Sequence, residues 1–225
     1  HKSIVNTNSL QKGRNNMNIA MDISKLPYEA KVALVNDVQA SPEFLAALAT
    51  DKDRRIRILV AWHSGTPSEV LDTLVNDCDS VVRRAVAENG NTFAKTLAKL
   101  ANDIDEDVRM AVGENKNTKE ETLAMLAKDK KEWVREAVAS NPNALPETLE
   151  LLTEDTAKFV RGAVARNKNA PEKVFLKLAK DENSINRHYV ASNPNVPAEI
   201  LAFLAKDEEW RVRYAVARNE NTPKE

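Results

Sequence analysis

Residues 82–91 read VRRAVAENGN, and the phrase returns as VRMAVGENKN at 108–117, VREAVASNPN at 134–143, VRGAVARNKN at 160–169 and VRYAVARNEN at 212–221. Copies follow one another at a step of 26 residues, or twice that where a more divergent copy, INRHYVASNPN, intervenes. Self-similarity at a fixed period of this length is typical of chains that stack one supersecondary unit many times. The sequence therefore predicts a repeat architecture.

Three polar columns keep the same step as the quoted phrase. Arginines occur at Arg57, Arg83, Arg109, Arg135, Arg161, Arg187 and Arg213. Aspartates occur at Asp51, Asp77, Asp103, Asp129, Asp155, Asp181 and Asp207. Asparagines occur at Asn89, Asn115, Asn141, Asn167, Asn193 and Asn219, and a second set follows two residues later.

These columns favour a structural role. Each arginine has an aspartate in phase with it, so we interpret the two columns as an inter-repeat ladder of charge-assisted hydrogen bonds. The asparagines are interpreted as a second ladder of hydrogen bonds in the loops. The alternative is that the arginines form a stripe that binds phosphates or nucleic acid.

Each repeat is expected to contain two short helices. The aspartate suits an N-cap, and a glutamate three residues on completes a capping box in Asp103–Glu106. Val108, Ala111 and Val112 fall on one helical stripe, and Leu123 and Leu126 supply the apolar face of the second helix. Asparagine is expected to end the first helix because it tolerates left-handed backbone and because its amide can satisfy freed backbone groups. Neither helix hides its face alone, so the units must stack into an all-α solenoid.

We expect about eight such two-helix repeats in a single domain spanning residues 25–225. They begin near residues 25, 51, 77, 103, 129, 155, 181 and 207, and the last is incomplete. Residues 1–24 are predicted to be a polar leader or a flexible arm. An end without a capping repeat predicts end-to-end self-association at the C-terminus, or continuation in a longer protein.

The unit VRxAVAxNPNxPxxxLxxLAxD, clearest at 134–155 and 191–207, resembles the leucine-rich repeat variant family of HEAT-like repeats. The resemblance covers roughly residues 27–225. It implies a right-handed superhelix of short paired helices, in which a 3-10 helix can replace one α-helix of a pair. Some relatives carry a cysteine-rich segment that binds a metal cluster, and this chain has one cysteine, Cys78, so no cofactor is expected.

Composition argues against several functional classes. The chain has 33 basic and 34 acidic side chains, a formal net charge of −1, so no global field attracts nucleic acid or an anionic membrane. No glycine-rich phosphate loop or nucleophile motif is found. His1, His63 and His188 are too distant in a stack to share a metal. We expect a cytoplasmic, non-enzymatic protein.

Function is expected at exposed positions that vary between repeats. On the predicted solvent side of the first helices, the central repeats carry acidic residues and the later ones carry basic and aromatic residues. The candidates for partner binding on this face are Glu88, Glu114, Glu136, His188, Trp210 and Tyr214. This face is interpreted as either a solvated surface of mixed charge or a partner-binding surface.

A second variable column lies two residues before each arginine. Three consecutive repeats place Trp133, Phe159 and Ile185 there, where three other repeats have a charged residue and one has Val81. The column borders the predicted core, so these side chains either seal neighbouring helices or form an exposed apolar strip that marks an interface. They complete the set of partner-binding candidates.

Two repeats depart from the pattern. Asn186 replaces a valine and Tyr189 replaces an alanine, which predicts a disturbed stack around residue 189 with His188, Tyr189 and Tyr214 beside a small pocket. His63 occupies the asparagine column and is expected to replace one rung of that ladder.

The leading hypothesis is a repeat scaffold that mediates protein–protein or peptide interaction along an extended helical face. The alternative is a HEAT-like solenoid that binds nucleic acid.

Overall fold

The computed structural model describes residues 23–223, which form fifteen α-helices and one 3-10 helix, Ile23–Lys25. Eight longer helices alternate with seven shorter ones. The long helices are α1 (Tyr28–Val35), α3 (Arg54–Trp62), α5 (Ser80–Glu88), α7 (Glu106–Glu114), α9 (Glu132–Ser140), α11 (Lys158–Arg166), α13 (Ser184–Ser192) and α15 (Trp210–Arg218). The short helices are α2 (Pro42–Leu48), α4 (Ser68–Thr73), α6 (Ala94–Leu100), α8 (Glu120–Leu126), α10 (Pro146–Leu152), α12 (Glu172–Leu178) and α14 (Ala198–Leu204).

Equivalent helices begin 26 residues apart throughout the described chain. The predicted all-α solenoid of two-helix repeats is therefore confirmed. Both helices of each pair in residues 28–218 are α-helices, and the 3-10 helix lies before the first pair. The leader predicted for residues 1–24 falls outside the described residues, except that Ile23 is buried in the core.

The helices form two layers with the apolar core between them. Each long helix packs directly against the long helices before and after it, whereas neighbouring short helices touch each other little. Val108, Ala111 and Val112 of α7 are buried, and so are Leu123 and Leu126 of α8. The stripes predicted from the sequence thus supply the core of each repeat, and stacking makes it continuous.

Long helices approach one another closely because small residues line their contacts. A methyl group placed on Gly113 of α7 would lie 3.0 Å from the Cβ of Ala137 in α9. Helices that pack through such small side chains have axes at the near end of the usual range of about 8–10 Å. The repeat therefore advances by about that distance along the stack.

One arginine–aspartate rung joins each long helix from α3 to α13 to the loop after the next short helix. Arg135 donates from Nε to Asp155 Oδ2 at 2.5 Å and from Nη2 to Oδ1 at 2.9 Å. Its Nη1 donates to the carbonyl of Asp129 in its own repeat at 2.7 Å. The same geometry recurs for the pairs Arg57–Asp77, Arg83–Asp103, Arg109–Asp129, Arg161–Asp181 and Arg187–Asp207. Lys31 and Asp51 form the first rung.

The aspartates of this ladder are not the N-caps, and that prediction was wrong. The N-cap of α7 is Asp105, two residues after Asp103, and its side chain accepts from the amide of Asp107. Asp103 instead accepts from the amide of Asp105 at 2.9 Å while its carboxylate bonds Arg83. The carboxylate therefore orders the loop that leads into the helix, and the cap is a separate residue.

The asparagine column forms a ladder at the other end of the long helices. Asn141 Nδ2 donates to the carbonyls of Gly113 and Asn115 in the preceding repeat at 2.6 and 3.1 Å. Its Oδ1 accepts from the amide of Asn143 at 2.8 Å, and Asn143 bonds a further carbonyl of the preceding repeat. Each asparagine thereby satisfies carbonyls that the end of the previous helix leaves free.

Asparagine does this without left-handed backbone. Asn141 has φ −73° and ψ 131°, and within residues 23–223 no residue other than glycine has a positive φ. The left-handed part of the prediction was therefore wrong, whereas the part that rested on the side-chain amide is confirmed.

His63 replaces one rung of this ladder. Its Nδ1 accepts from the amide of Gly65 at 3.1 Å, and its Nε2 lies 3.2 Å from the carbonyl of Asp37, 26 residues earlier. These partners assign the tautomer with the proton on Nε2. The imidazole thus reproduces one acceptor and one donor of the asparagine side chain.

The carboxylates of the ladder remain charged when the protein folds. Burial alone would raise the pKa of Asp155, but hydrogen bonds from Arg135 and from the Ala157 amide outweigh it and leave that pKa below its ordinary value of 3.8. The pKa of Asp103 and that of Asp181 are lowered in the same way. For Asp207 the hydrogen bond from Arg187 is the largest influence on the lowered pKa.

Replacing Arg135 with alanine should lower the free energy of unfolding by about 3 kcal/mol, because Asp155 would keep a largely buried charge without its partner. The matched control is Arg213→Ala. Arg213 stands in the same column but bonds the carbonyls of Asp207 and Glu208, and within residues 23–223 no carboxylate pairs with it. The control should cost less than about 1 kcal/mol. Urea unfolding followed by circular dichroism measures both, and equal losses would contradict a structural ladder.

Acid should weaken the ladder in a defined pH range. A carboxylate whose pKa is lower in the folded than in the unfolded chain contributes stability above the unfolded value of 3.8. That contribution disappears as the pH falls through the lower folded value. The free energy of unfolding should therefore change little from this source between pH 7 and about 5 and then fall below about 4. A urea series at several pH values tests this, and Arg135→Ala should show a shallower acid dependence.

Candidate functional site

Trp133, Phe159 and Ile185 lie on the surface of the long helices. Each is the second residue of its helix, in α9, α11 and α13, and the three helices are consecutive neighbours in the stack. Their exposed fractions are 39%, 57% and 54%. Each side chain therefore keeps a substantial exposed area, and we name these three residues the apolar strip.

Lysines place positive charge beside the two aromatic members of the apolar strip, and acidic neighbours offset part of it. The Lys131 ammonium lies 5.0 Å from the centre of the Trp133 ring and also bonds Glu106 at 2.8 Å. The Lys158 ammonium lies 5.2 Å from the centre of the Phe159 ring. Cations over aromatic faces are attracted by the ring quadrupole, so each lysine is held beside its aromatic neighbour.

Helix ends add to this positive character. Most long helices begin with a side chain that accepts from the amide two residues on, as Asp79 does for α5 and Asn183 does for α13. By contrast α9 and α11 begin after Lys131 and Ala157 and have no side-chain cap. Free amides and the helix dipole make such ends partly positive. The uncapped start of α9 lies next to Trp133, and that of α11 lies next to Phe159.

The aromatic and basic candidates of the last repeats form a second group. The rings of Trp210 and Tyr214 meet nearly edge-to-face with centres 6.4 Å apart, and Arg218 donates to the Tyr214 hydroxyl at 3.0 Å. His188 Nδ1 lies 3.1 Å from the carbonyl of Arg211. Trp210 starts α15, so it continues the line of the apolar strip into the next repeat, one position earlier in its helix.

The acidic candidates Glu88 and Glu114 belong to α5 and α7, whereas Glu136 lies one helical turn from Trp133 in α9. Glu88 accepts from the Trp62 indole at 2.7 Å and from Arg84 at 2.6 Å. Burial raises the pKa of Glu114, and the nearby charge of Glu88 raises it further. Glu136 lies 3.8 Å from Arg166. Several of these carboxylates thus have partners within the chain, which reduces what they offer to a ligand.

Gly162 accommodates the irregular repeat, and the sequence reasoning missed it. A methyl group at Gly162 would lie 2.8 Å from Asn186 Oδ1 and 3.3 Å from Tyr189 Cε2. The missing side chain therefore makes the space that Tyr189 needs in a slot that holds alanine elsewhere. The Arg166 guanidinium covers the other side of the tyrosine ring, 4.6 Å from its centre. The predicted disturbance is absorbed here, and α11 and α13 remain packed against each other.

The histidine, cysteine and carboxylate side chains of the described residues do not indicate a second functional site. Within residues 23–223 no group of three histidine, cysteine, aspartate or glutamate side chains is arranged to hold a metal ion. His1 lies outside the described residues. Cys78 is exposed, with its sulfur 3.7 Å from Asp77 Oδ1. In the same part of the chain, no helix has both the length and the apolar character needed to cross a membrane.

Replacing Gly162 with alanine should destabilise the protein by about 1–2 kcal/mol. Alanine gains up to about 1 kcal/mol of helix propensity, but crowding of a packed site costs about 1–3 kcal/mol. The triple variant Gly162→Ala, Asn186→Val, Tyr189→Ala restores the valine and alanine that most other repeats have at positions 186 and 189, removes the crowding side chains and should recover the loss. Thermal unfolding measures both, and a single variant more stable than the parent would refute the steric account.

Comparison with known proteins finds a match for the fold but none for the sequence. No protein-family model matches the sequence, and no curated protein matches it by sequence. The structure matches a solved leucine-rich repeat variant, described as having a novel repetitive structural motif, with a TM-score of 0.66 and 25% sequence identity. The match covers 97% of this chain and 88% of the other. The resemblance predicted from the repeated motif is thus confirmed, and this chain is a helical repeat scaffold similar in fold to a leucine-rich repeat variant along nearly its whole length.

Proposed function

We propose that this scaffold binds another protein, through a peptide segment of that protein, along its long helices at the apolar strip. The observation that carries the proposal is the exposure of Trp133, Phe159 and Ile185 at one equivalent position of three consecutive repeats. The repeated core does not need them there, because other repeats have Arg55, Asp107 or Arg211 in that position.

The side-chain types also support a binding role. Large aromatic residues dominate the energetic centres of protein interfaces, since they cover much apolar area with few rotatable bonds. Full burial of one large apolar side chain contributes about 1.5–3 kcal/mol. Three partly exposed ones would supply a central part of a binding energy, and polar contacts from the rim would add to it.

Protein is a better-supported partner than nucleic acid. The arginine column that suggested a phosphate-binding stripe is engaged, because six of its members within residues 23–223 each form two bonds to an aspartate of the next repeat. Side chains held in this way are poorly placed to release counterions from a nucleic acid. The net charge of −1 also favours a protein partner over nucleic acid, because the chain has no overall positive charge to attract phosphates.

The test is an affinity pull-down from cell lysate with the parent chain and the double variant Trp133→Ala, Phe159→Ala. A protein partner should be retained by the parent and reduced at least tenfold by the variant. The matched control is Leu151→Ala, Phe203→Ala, which removes side chains of similar exposure, 49% and 54%, from the short helices. This control should retain the partner.

Circular dichroism must first show that all variants remain folded. Equal losses from the two double variants would indicate nonspecific adhesion to apolar surface and reject the proposed site. Retention by both would also reject it. Recovery of salt-sensitive nucleic acid alone would favour the alternative function.

A further inference from the structure

The spacing and charge of the apolar strip define the kind of segment that fits it. We propose that the strip binds an acidic peptide in the polyproline II conformation, with an apolar residue at every third position. This inference rests on the proposed function and specifies the chemistry of its partner.

The repeat distance sets the period of the ligand. Trp133, Phe159 and Ile185 occupy equivalent positions, so neighbouring anchors are separated by one helix-to-helix step of about 8–10 Å. A polyproline II chain advances about 9.3 Å in three residues and returns to the same face after those three. Every third side chain would therefore meet one anchor of the strip without a change in the direction of the peptide.

Other peptide conformations match the strip less well. A β-strand covers nearly the same distance in three residues, but its side chains alternate between faces, so the third residue points away from the strip. An α-helix returns to one face after about seven residues and 10.5 Å, but its body is about 10–12 Å wide. The apolar strip is one residue wide, because charged Glu132 and Lys158 directly precede its aromatic members.

The residue types favour the same ligand. Aromatic side chains line the surfaces on which proline-rich segments dock, because flat rings pack well against pyrrolidine rings. A preformed polyproline II chain also loses little conformational entropy on binding. Trp210 of the next repeat, also exposed, offers a third aromatic contact beyond Ile185.

The charges around the strip indicate that the intervening residues are acidic. Lys158 lies over the ring of Phe159, and Lys131, which Glu106 partly neutralises, lies over that of Trp133. The helices α9 and α11 begin beside these residues without a side-chain cap. A carboxylate of the ligand placed between two apolar anchors would meet an ammonium group and the positive end of a helix. A basic ligand would meet the same groups with unfavourable sign.

The test uses three fluorescent twelve-residue peptides and fluorescence anisotropy on the full chain. The first is four Leu-Pro-Glu units, the second has the same composition in an order that breaks the period of three, and the third is four Leu-Pro-Lys units. The first should bind at least tenfold more tightly than either of the others. Phe159→Ala and Lys158→Glu should each weaken it at least tenfold, whereas Phe203→Ala should leave it unchanged.

Each result bears on a separate part of the inference. Equal binding of the first two peptides would reject the period of three, and equal or tighter binding of the lysine peptide would reject the acidic ligand. Failure of all three peptides to bind would reject the inference. If the pull-down partner still depended on Trp133 and Phe159, the proposed protein-binding function would be kept and only the inferred ligand rejected. If that dependence also failed, both the function and the ligand would be rejected.

Discussion

The bidentate bond between an arginine and the aspartate twenty residues later is the interaction on which the stack depends. Both side chains of the Arg135–Asp155 pair are largely buried, at 15% and 6% exposure, so neither charge would be tolerated there alone. The aspartate also accepts from the amide two residues on, which fixes the loop before the next long helix. One carboxylate therefore sets both the contact between repeats and the starting point of the following helix.

The asparagine column imposes an equivalent constraint at the opposite end of the long helices. Asn141 donates to two carbonyls of the preceding repeat. One belongs to Gly113 in the last turn of the long helix, and the other belongs to Asn115 just after that helix. With both ends of every long helix fixed by repeated residues, the positions between and beside the ladders are free to vary. The apolar strip and the Trp210–Tyr214 pair occupy such positions, which is why chemistry can differ between repeats while the stack stays regular.

How far the sequence could predict this molecule depends on the distance over which each residue acts. The 26-residue period and the Val108–Ala111–Val112 stripe were readable, because they express contacts repeated in every unit. The role of Asp103 was mistaken since an N-cap and a loop-ordering carboxylate two residues earlier look alike in a pattern. Gly162 was missed because its partner, Tyr189, lies in the next repeat, and only the packed stack reveals that the two compensate each other. The exposure of Trp133 could not be decided from a helical wheel, because its column borders the core. The residues of a partner are not encoded in this chain, so its sequence cannot specify them.

The reach of the ladders has a consequence for how such a chain can evolve. Every rung described above joins a repeat only to its immediate neighbour, at fixed separations of 20, 26, 27 or 28 residues. Duplication or loss of one complete unit would therefore leave each surviving arginine and asparagine with a partner of the same chemical kind. The pair formed by Gly162 and Tyr189 is an exception, because these two residues must be inherited together. Recombination within the gene can thus change the length of the scaffold in whole steps, provided that the breakpoints do not separate residues 162 and 189.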